Sequence, residues 1–315
     1  MSSDALPRIF HDGELAVQAR MGVVTAIRPF AERAIRDFMP DQHRDFFAQL
    51  PFILVGALDG AGRPWATAAF GAPGFVSSPE PHSLAIRGTP LLSRDVGLRL
   101  GAGDPVGLLG LEPPTRRRNR MNGTITAAGD ALVVAVRQSF GNCKKFIHAR
   151  DLAFHADAQP GPLERMRGLS PRARALVANA DTLYIASRSP HIDGGAEAGL
   201  DVSHRGGRPG FVRAGEDGRI SFPDFAGNNL YNTAGNIVAD GRVGLFFADF
   251  DTGDALFVTG QATIDWDGPR VAALDGAMRI FDVEPVEAIY VPAILPMTGP
   301  LTEPSPVAAA TGIWR

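Results

Sequence analysis

Two textures of apolar and polar positions alternate along this chain. The first stretch is helical: Asp12 stands as a cap, Glu14 falls in the first turn, and Leu15, Val17, Ala19 and Met21 supply apolar surface before Gly22. The pattern predicts a second helix over roughly Phe30 to Asp37 and a third from Pro40 to Gln49. At Phe52–Leu58 the chain switches to a short apolar run, followed by the turn residues Asp59-Gly60-Ala61-Gly62 and a strand-like run at Pro64–Phe70. Short strands divided by Gly, Pro and Asp turns continue to about Val136, the texture of a β-barrel or sandwich. A polar, Pro-rich bridge covers Asp151 to Gly161. A helix is expected over Ser170 to Asn179, with Ser170 as N-cap and Pro171 in the first turn. Strand texture returns at Thr182–Ser187 and runs to about Asp265, interrupted by a helical pattern at Leu230 to Val238. The five prolines between Pro292 and Arg315 predict a largely irregular tail.

The two strand-rich halves look like copies. Val106-Gly107-Leu108-Leu109-Gly110 matches Val243-Gly244-Leu245-Phe246-Phe247, and Asn122-Gly123-Thr124-Ile125 lies beside Thr259-Gly260-Gln261-Ala262. Gly107 to Gly244 and Gly123 to Gly260 are both 137 positions, and a constant offset at separate anchors indicates a duplicated domain. The expected division is 1–50 as a helical N-terminal segment, 51–160 as a first barrel and 161–315 as a second barrel with its tail.

The 315 residues suffice for two ordinary domains, and 45% hydrophobic with 21% charged residues is a globular balance. The net charge of −3 argues against nucleic acid or an anionic membrane as partner, so any anionic ligand needs a local arginine cluster. A single cysteine, Cys143, fits a reducing compartment. Met1 to Gly13, with its early Asp4, does not read as a secretory signal, and the apolar runs are strand-sized, so the expectation is a cytoplasmic protein without membrane contact. The seven histidines show no metal-ligand spacing, and neither a Gly-x-Gly-x-x-Gly nor a Gly-x-Ser-x-Gly motif stands in the right context.

Several runs carry chemistry. Arg208 and Arg213 bracket Pro209-Gly210 and either meet an anion or stand as solvated surface arginines. Gly227-Asn228-Asn229 precedes a helical pattern, where free backbone N–H groups can cradle a phosphate or simply form a capped turn. Arg116-Arg117-Arg118 and Arg120 form the densest basic cluster, with Arg118 and Arg120 on one face of a strand entering Asn122-Gly123; such a run is also a way to protect a sheet edge. Lys144 and Lys145 beside Cys143 would lower its thiol pKa, although a lone cysteine is more often a small buried residue.

The run Ser203-His204-Arg205-Gly206-Gly207-Arg208-Pro209-Gly210-Phe211-Val212-Arg213, with Phe222-Pro223-Asp224-Phe225-Ala226-Gly227-Asn228-Asn229 and Val243–Phe247, resembles the flavin-binding core of pyridoxamine 5′-phosphate oxidase-like proteins. Arg118-Asn119-Arg120-Met121-Asn122-Gly123 and Ser139-Phe140-Gly141-Asn142-Cys143-Lys144-Lys145-Phe146 are similar to further motifs of that group. The resemblance implies a mainly β fold with α elements, two FMN-binding split β-barrels in tandem, and FMN as cofactor. It implies cofactor contacts from Ser203, Arg208, Phe211, Val212, Arg213, Asp224, Gly227, Asn228, Asn229, Arg118, Arg120, Asn122, Cys143 and Lys145, with no catalytic residue identified. Asn228-Asn229 departs from the Arg-Lys of the better-known oxidases. The Arg208/Arg213 pair and the Gly-Asn-Asn turn occur only in the second half, and Leu84 to Pro90 is read as the matching stretch of the first half, which lacks them. One complete flavin site per barrel pair is therefore expected. The implied activity is an FMN-dependent oxidoreductase acting on a small molecule, with NAD(P)H as electron donor and a homodimer among the possibilities. The alternative is a non-catalytic protein binding flavin or heme.

Overall fold

The computed structural model describes residues 8–155, 158–192 and 194–314; Asp4, part of the Asp151–Gly161 bridge and Arg315 lie outside them. Three helices open the chain: α1 (Asp12–Arg20), α2 (Val24–Ala34) and α3 (Asp41–Ala48). The first sheet comprises β1 (Phe52–Leu58), β2 (Pro64–Phe70), β3 (Val76–Ser77), β4 (Ser83–Ile86), β5 (Pro105–Glu112), β6 (Arg117–Ala128) and β7 (Leu132–Gly141). After the short strands β8 (Ala149–Arg150), β9 (Ala153–Phe154) and β10 (Glu164–Met166) comes α4 (Pro171–Asn179). The second sheet follows as β11 (Thr182–Arg188), β12 (Leu200–Gly206), β13 (Arg213–Ala214), β14 (Ile220–Phe225), then α5 (Asn232–Ala239), β15 (Arg242–Ala248), β16 (Ala255–Asp265) and β17 (Ala277–Val291). Two short strands in the tail, β18 (Met297–Thr298) and β19 (Leu301–Glu303), complete the order.

The first sheet runs β2-β1-β5-β6-β7-β4-β3 and the second β12-β11-β15-β16-β17-β14-β13, the same order twice, so the fold is mainly β with two tandem sheets of one topology. The anchors seen in the sequence are equivalent in register: Val106 pairs with Gly123 and Val243 with Gly260. Their glycines have a steric cause. Each sheet carries an irregularity next to the second anchor, between Asn122 and Gly123 and between Thr259 and Gly260. There a Cβ on Gly123 would lie 2.1 Å from the Ala135 carbonyl oxygen, and one on Gly260 2.4 Å from that of Glu284. Gly107 and Gly244 answer a different demand, the contact between sheets. A Cβ on Gly107 would stand 2.7 Å from the Leu200 carbonyl oxygen, and one on Gly244 2.6 Å from that of Pro64.

That contact explains why β1 and β11 are buried along their whole length. Side chains alternate between the faces of a strand. Ile53, Val55 and Ala57 enter the core of the first half with Phe46, Phe47 and Met121. Phe52 and Leu54 point the other way, into an apolar layer shared with Tyr184, Ala186, Phe246 and Phe257 of the second half. Leu183 and Ile185 turn into the second half's own core with Phe222, Phe247 and Phe281.

A further repeat lies in Gly71-Ala72-Pro73-Gly74-Phe75 and Gly207-Arg208-Pro209-Gly210-Phe211. Both loops close with the phenylalanine N–H donating to the residue three before it, at 2.9 Å, and both place their second glycine at positive φ, 95° and 90°. The counterpart of the Arg208–Arg213 segment is therefore Ala72–Ser77. Leu84 to Pro90 instead starts in β4, the counterpart of β14.

Other differences from expectation also have identifiable causes. The cap of α1 is His11, whose extended backbone lets Nδ1 accept from Gly13 N–H. Helix α2 begins before the predicted Phe30, and contains Pro29, because Ile27 and Ala31 bury one face against Phe10, Phe140 and Leu230. Strand β17, which the sequence pattern missed, carries Pro285 at a bulge: Thr259 pairs with Glu287 and Gly260 with Pro285. Val286 is the extra residue and stands 54% exposed. The tail is irregular but docked, β18 pairing with β9 and β19 with β8. Among the described residues no helix is long and apolar enough to cross a membrane.

Candidate functional site

Where β6 of the first sheet meets β12 of the second, a cleft opens between the halves, bordered by the β14–α5 loop and the start of β17. Arg118 and Arg120 come from β6, Ser203, His204 and Arg205 from β12, Asp224 and Phe225 from β14, Gly227, Asn228, Asn229 and Tyr231 from the loop, Asn232 and Thr233 from the start of α5, and Met278 and Arg279 from β17. The enclosed part measures about 100 Å³. Whole small-molecule pockets run to roughly 300–1,000 Å³, so the enclosed part has room for a head group and not for a whole ligand of that size.

Strand alternation puts Asp201, Ser203 and Arg205 on one face of β12. Arg120, 3% exposed, donates from Nη1 to Asp201 Oδ1 at 2.5 Å and from Nη2 to the Val202 carbonyl at 3.2 Å and to Ser203 Oγ. Asp201 also accepts from Asn122 Nδ2 at 2.6 Å and from Asn236 Nδ2 at 3.0 Å. Arg120 is thus a compensated charge locked in the floor. At the rim, Asp224 forms ion pairs with Arg205, Nη1 at 2.9 Å from one oxygen, and with Arg279, Nε at 3.3 Å from the other.

The remaining positive charge is met only in part among the described residues. Arg279 is 1% exposed, its guanidinium lies 4.9 Å from the ring of Tyr231 and 5.2 Å from that of Trp266, and its Nη1 has no hydrogen-bond partner among the described residues. Arg118 donates to the Cys143 carbonyl at 2.7 Å and lies 3.3 Å from His204 Nδ1, with no carboxylate in contact among the described residues. Burial, and after it the neighbouring Arg205, pull the Arg118 guanidinium down to about 9. Burial and Arg118 likewise hold His204 well below the usual histidine range, so it is neutral. Among the described residues, four arginines stand against Asp201 and Asp224, which leaves two positive charges over.

The loop facing them is conformationally committed. Asn229 and Tyr231 both sit at positive φ, 61° and 62°. Leu230 N–H donates to Asn228 Oδ1 at 3.1 Å, Asn228 Nδ2 to Asn142 Oδ1 at 3.3 Å, and Tyr231 Oη to Asn229 Oδ1 at 3.1 Å. Gly227 leaves open space where a Cβ would be. Ser203 Oγ accepts from Thr233 Oγ1 at 3.2 Å.

Seven of the residues singled out in the sequence line this cleft: Arg118, Arg120, Ser203, Asp224, Gly227, Asn228 and Asn229. Asn122 lies one step behind it, through Asp201. Cys143 contributes its carbonyl to Arg118, while its thiol accepts only from Lys145 N–H at 3.5 Å, and the Lys145 side chain is exposed. Phe211 and Val212 are packed in the second core. Arg208 and Arg213 are not brought to the cleft. Arg208 donates to the Thr311 carbonyl at 2.9 Å and Arg213 stacks 5.3 Å from Trp314, both engaged by the tail. Sequence reasoning missed Arg279 because β17 itself was missed; the alternation Arg279, Phe281, Val283 against Met278, Ile280, Asp282 was its only signal. It also passed over Arg205 as a ligand, two residues along the strand from Ser203.

The corresponding place on the other side of the molecule is apolar. Arg118 and Arg120 pair with Leu111 and Leu109, and their counterparts pairing with Ala248 and Phe246 are Ala255 and Phe257. Ser203, His204 and Arg205 correspond to Thr67, Ala68 and Ala69. Ala68, Ala255 and Phe257 are packed in one cluster with Leu92 and Phe250.

No family model matches the chain, and no curated protein does. Among solved structures, HupZ of Group A Streptococcus is similar at 12% identity, covering 44% of this chain and 98% of its own, with a TM-score of 0.28. A candidate pyridoxamine 5′-phosphate oxidase from Lactobacillus delbrueckii matches at 16% identity, over 39% of this chain and 94% of its own, TM-score 0.30. A candidate 5-nitroimidazole antibiotic resistance protein from Bacteroides thetaiotaomicron matches at 8% identity, over 46% and 95%, TM-score 0.27. Each covers less than half of this chain at these low scores, and the fold and the site described above rest on strand order and geometry alone.

Proposed function

We propose that the cleft holds the phosphate of FMN and that the chain is an FMN-dependent oxidoreductase acting on a small molecule. The observation that carries this is the buried Arg279, which shares Asp224 with Arg205 and whose Nη1 has no hydrogen-bond partner among the described residues, in one cleft with an Arg118 that no described carboxylate contacts. Two uncompensated positive charges suit a phosphate monoester, which carries close to two negative charges at neutral pH. Arg118, Arg205 and Arg279 would hold that group, with donors from the Gly227–Asn229 turn. Phe225, Tyr231 and Met278 give the mouth an apolar side for a flat ring, and the hydroxyls of Ser203 and Thr233 stand beside it. FMN when bound supplies the redox chemistry, and the protein supplies orientation and electrostatics. Arg120, locked by Asp201, keeps a fixed positive charge under the site whether or not ligand is present.

Titration of the purified chain with FMN and with riboflavin tests the reading. Tight FMN binding with riboflavin at least tenfold weaker supports it; equal affinities, or none, refute the phosphate assignment. Bleaching of the bound flavin by NAD(P)H and its return in air supports turnover. A yellow protein that no pyridine nucleotide reduces favours a non-catalytic flavin carrier.

A further inference from the structure

The loop at the cleft is held from outside the two sheets, by α1. The crossing of α1 over α5 is unusually close. A Cβ on Gly13 would stand 2.3 Å from the Gly235 carbonyl oxygen, and one on Gly235 2.6 Å from the Glu14 Cα. Two glycines let the helices approach until their backbones touch, and this sinks the Glu14 side chain to 3% exposure at the first turn of α5. Glu14 Oε2 accepts from His11 N–H at 3.0 Å and Oε1 accepts from Asn232 Nδ2. One turn on, Gln18 Nε2 donates to the Leu230 carbonyl at 3.2 Å. Both tethers end on the segment that carries Asn229 and Tyr231 in their left-handed conformations, and Asn232 itself lines the cleft.

Among the described residues, none of the hydrogen bonds to the Glu14 carboxyl comes from a cation. His11 Nδ1 accepts from Gly13 N–H, which places its proton on Nε2 and leaves the ring neutral; Nε2 is 3.7 Å from Glu14 Oε2. Burial holds His11 below the usual histidine range. The charged groups facing Glu14 are Asp201 of β12 and Arg120 of β6, and Arg120 is already bonded to Asp201. Farther out, Asp12 and Glu197 act on His11. From α5 the neighbours are Asn232 and Asn236, which do not titrate. The two neutral donors and Arg120 favour the anion, but burial, and after it Asp201, disfavour it more, so the carboxyl keeps its proton.

We infer that Glu14, as a neutral carboxylic acid, is a positioning residue for the cleft: through Asn232, and with Gln18 on Leu230, it holds the 227–232 segment in its ligand-receiving shape. Ionising Glu14 puts a second anion beside Asp201, draws on the Arg120 charge and loosens the segment. Burial and Asp201 set that event at about 8. The inference rests on the phosphate reading only for its effect on affinity; the effect on the loop stands apart.

Amide hydrogen exchange of residues 227–235 in the full chain, without ligand and corrected for intrinsic pH dependence, tests the loop directly. Wild type should lose protection there between pH 7 and 9, Glu14→Gln should stay protected at both, and Glu14→Ala should be deprotected at both. FMN titration of the same proteins at pH 7 should give Glu14→Gln within threefold of wild type and Glu14→Ala at least tenfold weaker. Equal pH responses in wild type and Glu14→Gln overturn the inference, as does unchanged protection in Glu14→Ala. Protection that behaves as expected in a chain that binds no FMN leaves the positioning role standing and refutes the FMN reading.

Discussion

Arg279 is the side chain on which the site depends most. Its guanidinium packs against the rings of Tyr231 and Trp266 at 1% exposure, and Nη1, without a partner among the described residues, stays desolvated unless a ligand meets it. Removing one charge-assisted contact costs about 1.5–3 kcal/mol, roughly tenfold to over a hundredfold in affinity. Arg279→Ala and Arg118→Ala should therefore each weaken FMN binding by at least tenfold in fluorescence titration. Arg208→Ala, whose guanidinium is spent on the Thr311 carbonyl, should stay within about threefold. Comparable losses in all three would restore Arg208 to the ligand set. Glu14 makes a prediction about stability. Burial, then Asp201, raise its pKa in the folded chain from 4.5 to about 8, so the folded state binds the proton more tightly than the unfolded one. The stability it contributes is complete below about pH 4.5 and is lost as pH rises to about 8, by a few kcal/mol. Thermal unfolding of wild type should thus drop between pH 5 and 8 by more than that of Glu14→Gln. Parallel curves would show that Glu14 titrates normally.

At the level of elements, much of the fold was legible. Phe52–Leu58 and Pro64–Phe70 coincide with β1 and β2, and the Ser170–Pro171 signal marks the start of α4, with Ser170 Oγ accepting from Ala173 N–H. These positions obey local rules: an apolar run between turn residues, and a capping side chain. What escaped was decided by tertiary contact. Pro285 breaks the β pattern yet is tolerated because it falls at a bulge, and Arg279 was hidden with that strand. The fivefold spacing of Arg208 and Arg213 suggested a ligand pair, but nothing local revealed that the tail would return 100 residues later to occupy both. The repeated glycines were legible as a pattern but not as a cause. Gly107 now has one, contact with the Leu200 carbonyl across the sheet–sheet layer. Gly107→Ala should destabilise the chain by about 1–3 kcal/mol in urea unfolding. Gly60→Ala, with nothing within 4 Å of its added Cβ, should lie within about 0.5 kcal/mol of wild type. Equal effects would mean that the sheets adjust freely at this point.

Across the whole molecule, the arginines of the cleft come from both halves: Arg118 and Arg120 from the first, Arg205 and Arg279 from the second. Released flavin measured against protein should approach one FMN per chain, because Ala255, Phe257 and Ala69 stand where the cleft has Arg118, Arg120 and Arg205. A ratio near two would mean that the counterpart also binds. A fragment from Ser170 onward keeps Arg205 and Arg279 but lacks Arg118, Arg120 and α1. It also uncovers Tyr184, Phe246, Phe257 and Ile289, an apolar face that favours aggregation. If soluble, it should bind FMN at least tenfold more weakly; full-strength binding would place the site in the second half alone.

The apolar counterpart of the arginine cleft has a consequence for how such a chain can change. In a symmetric pair of identical subunits every substitution arrives twice, so filling one cleft with phenylalanine would abolish both. Joining two copies in one polypeptide removes that constraint, since position 120 and position 257 are separate codons. The second cleft is then free to become packing: Phe257 stacks on Phe246 with ring centroids 4.8 Å apart, where Arg120 in the other half bonds Asp201. One copy can keep its charges at some cost in stability while the other gives up its chemistry and holds the two together.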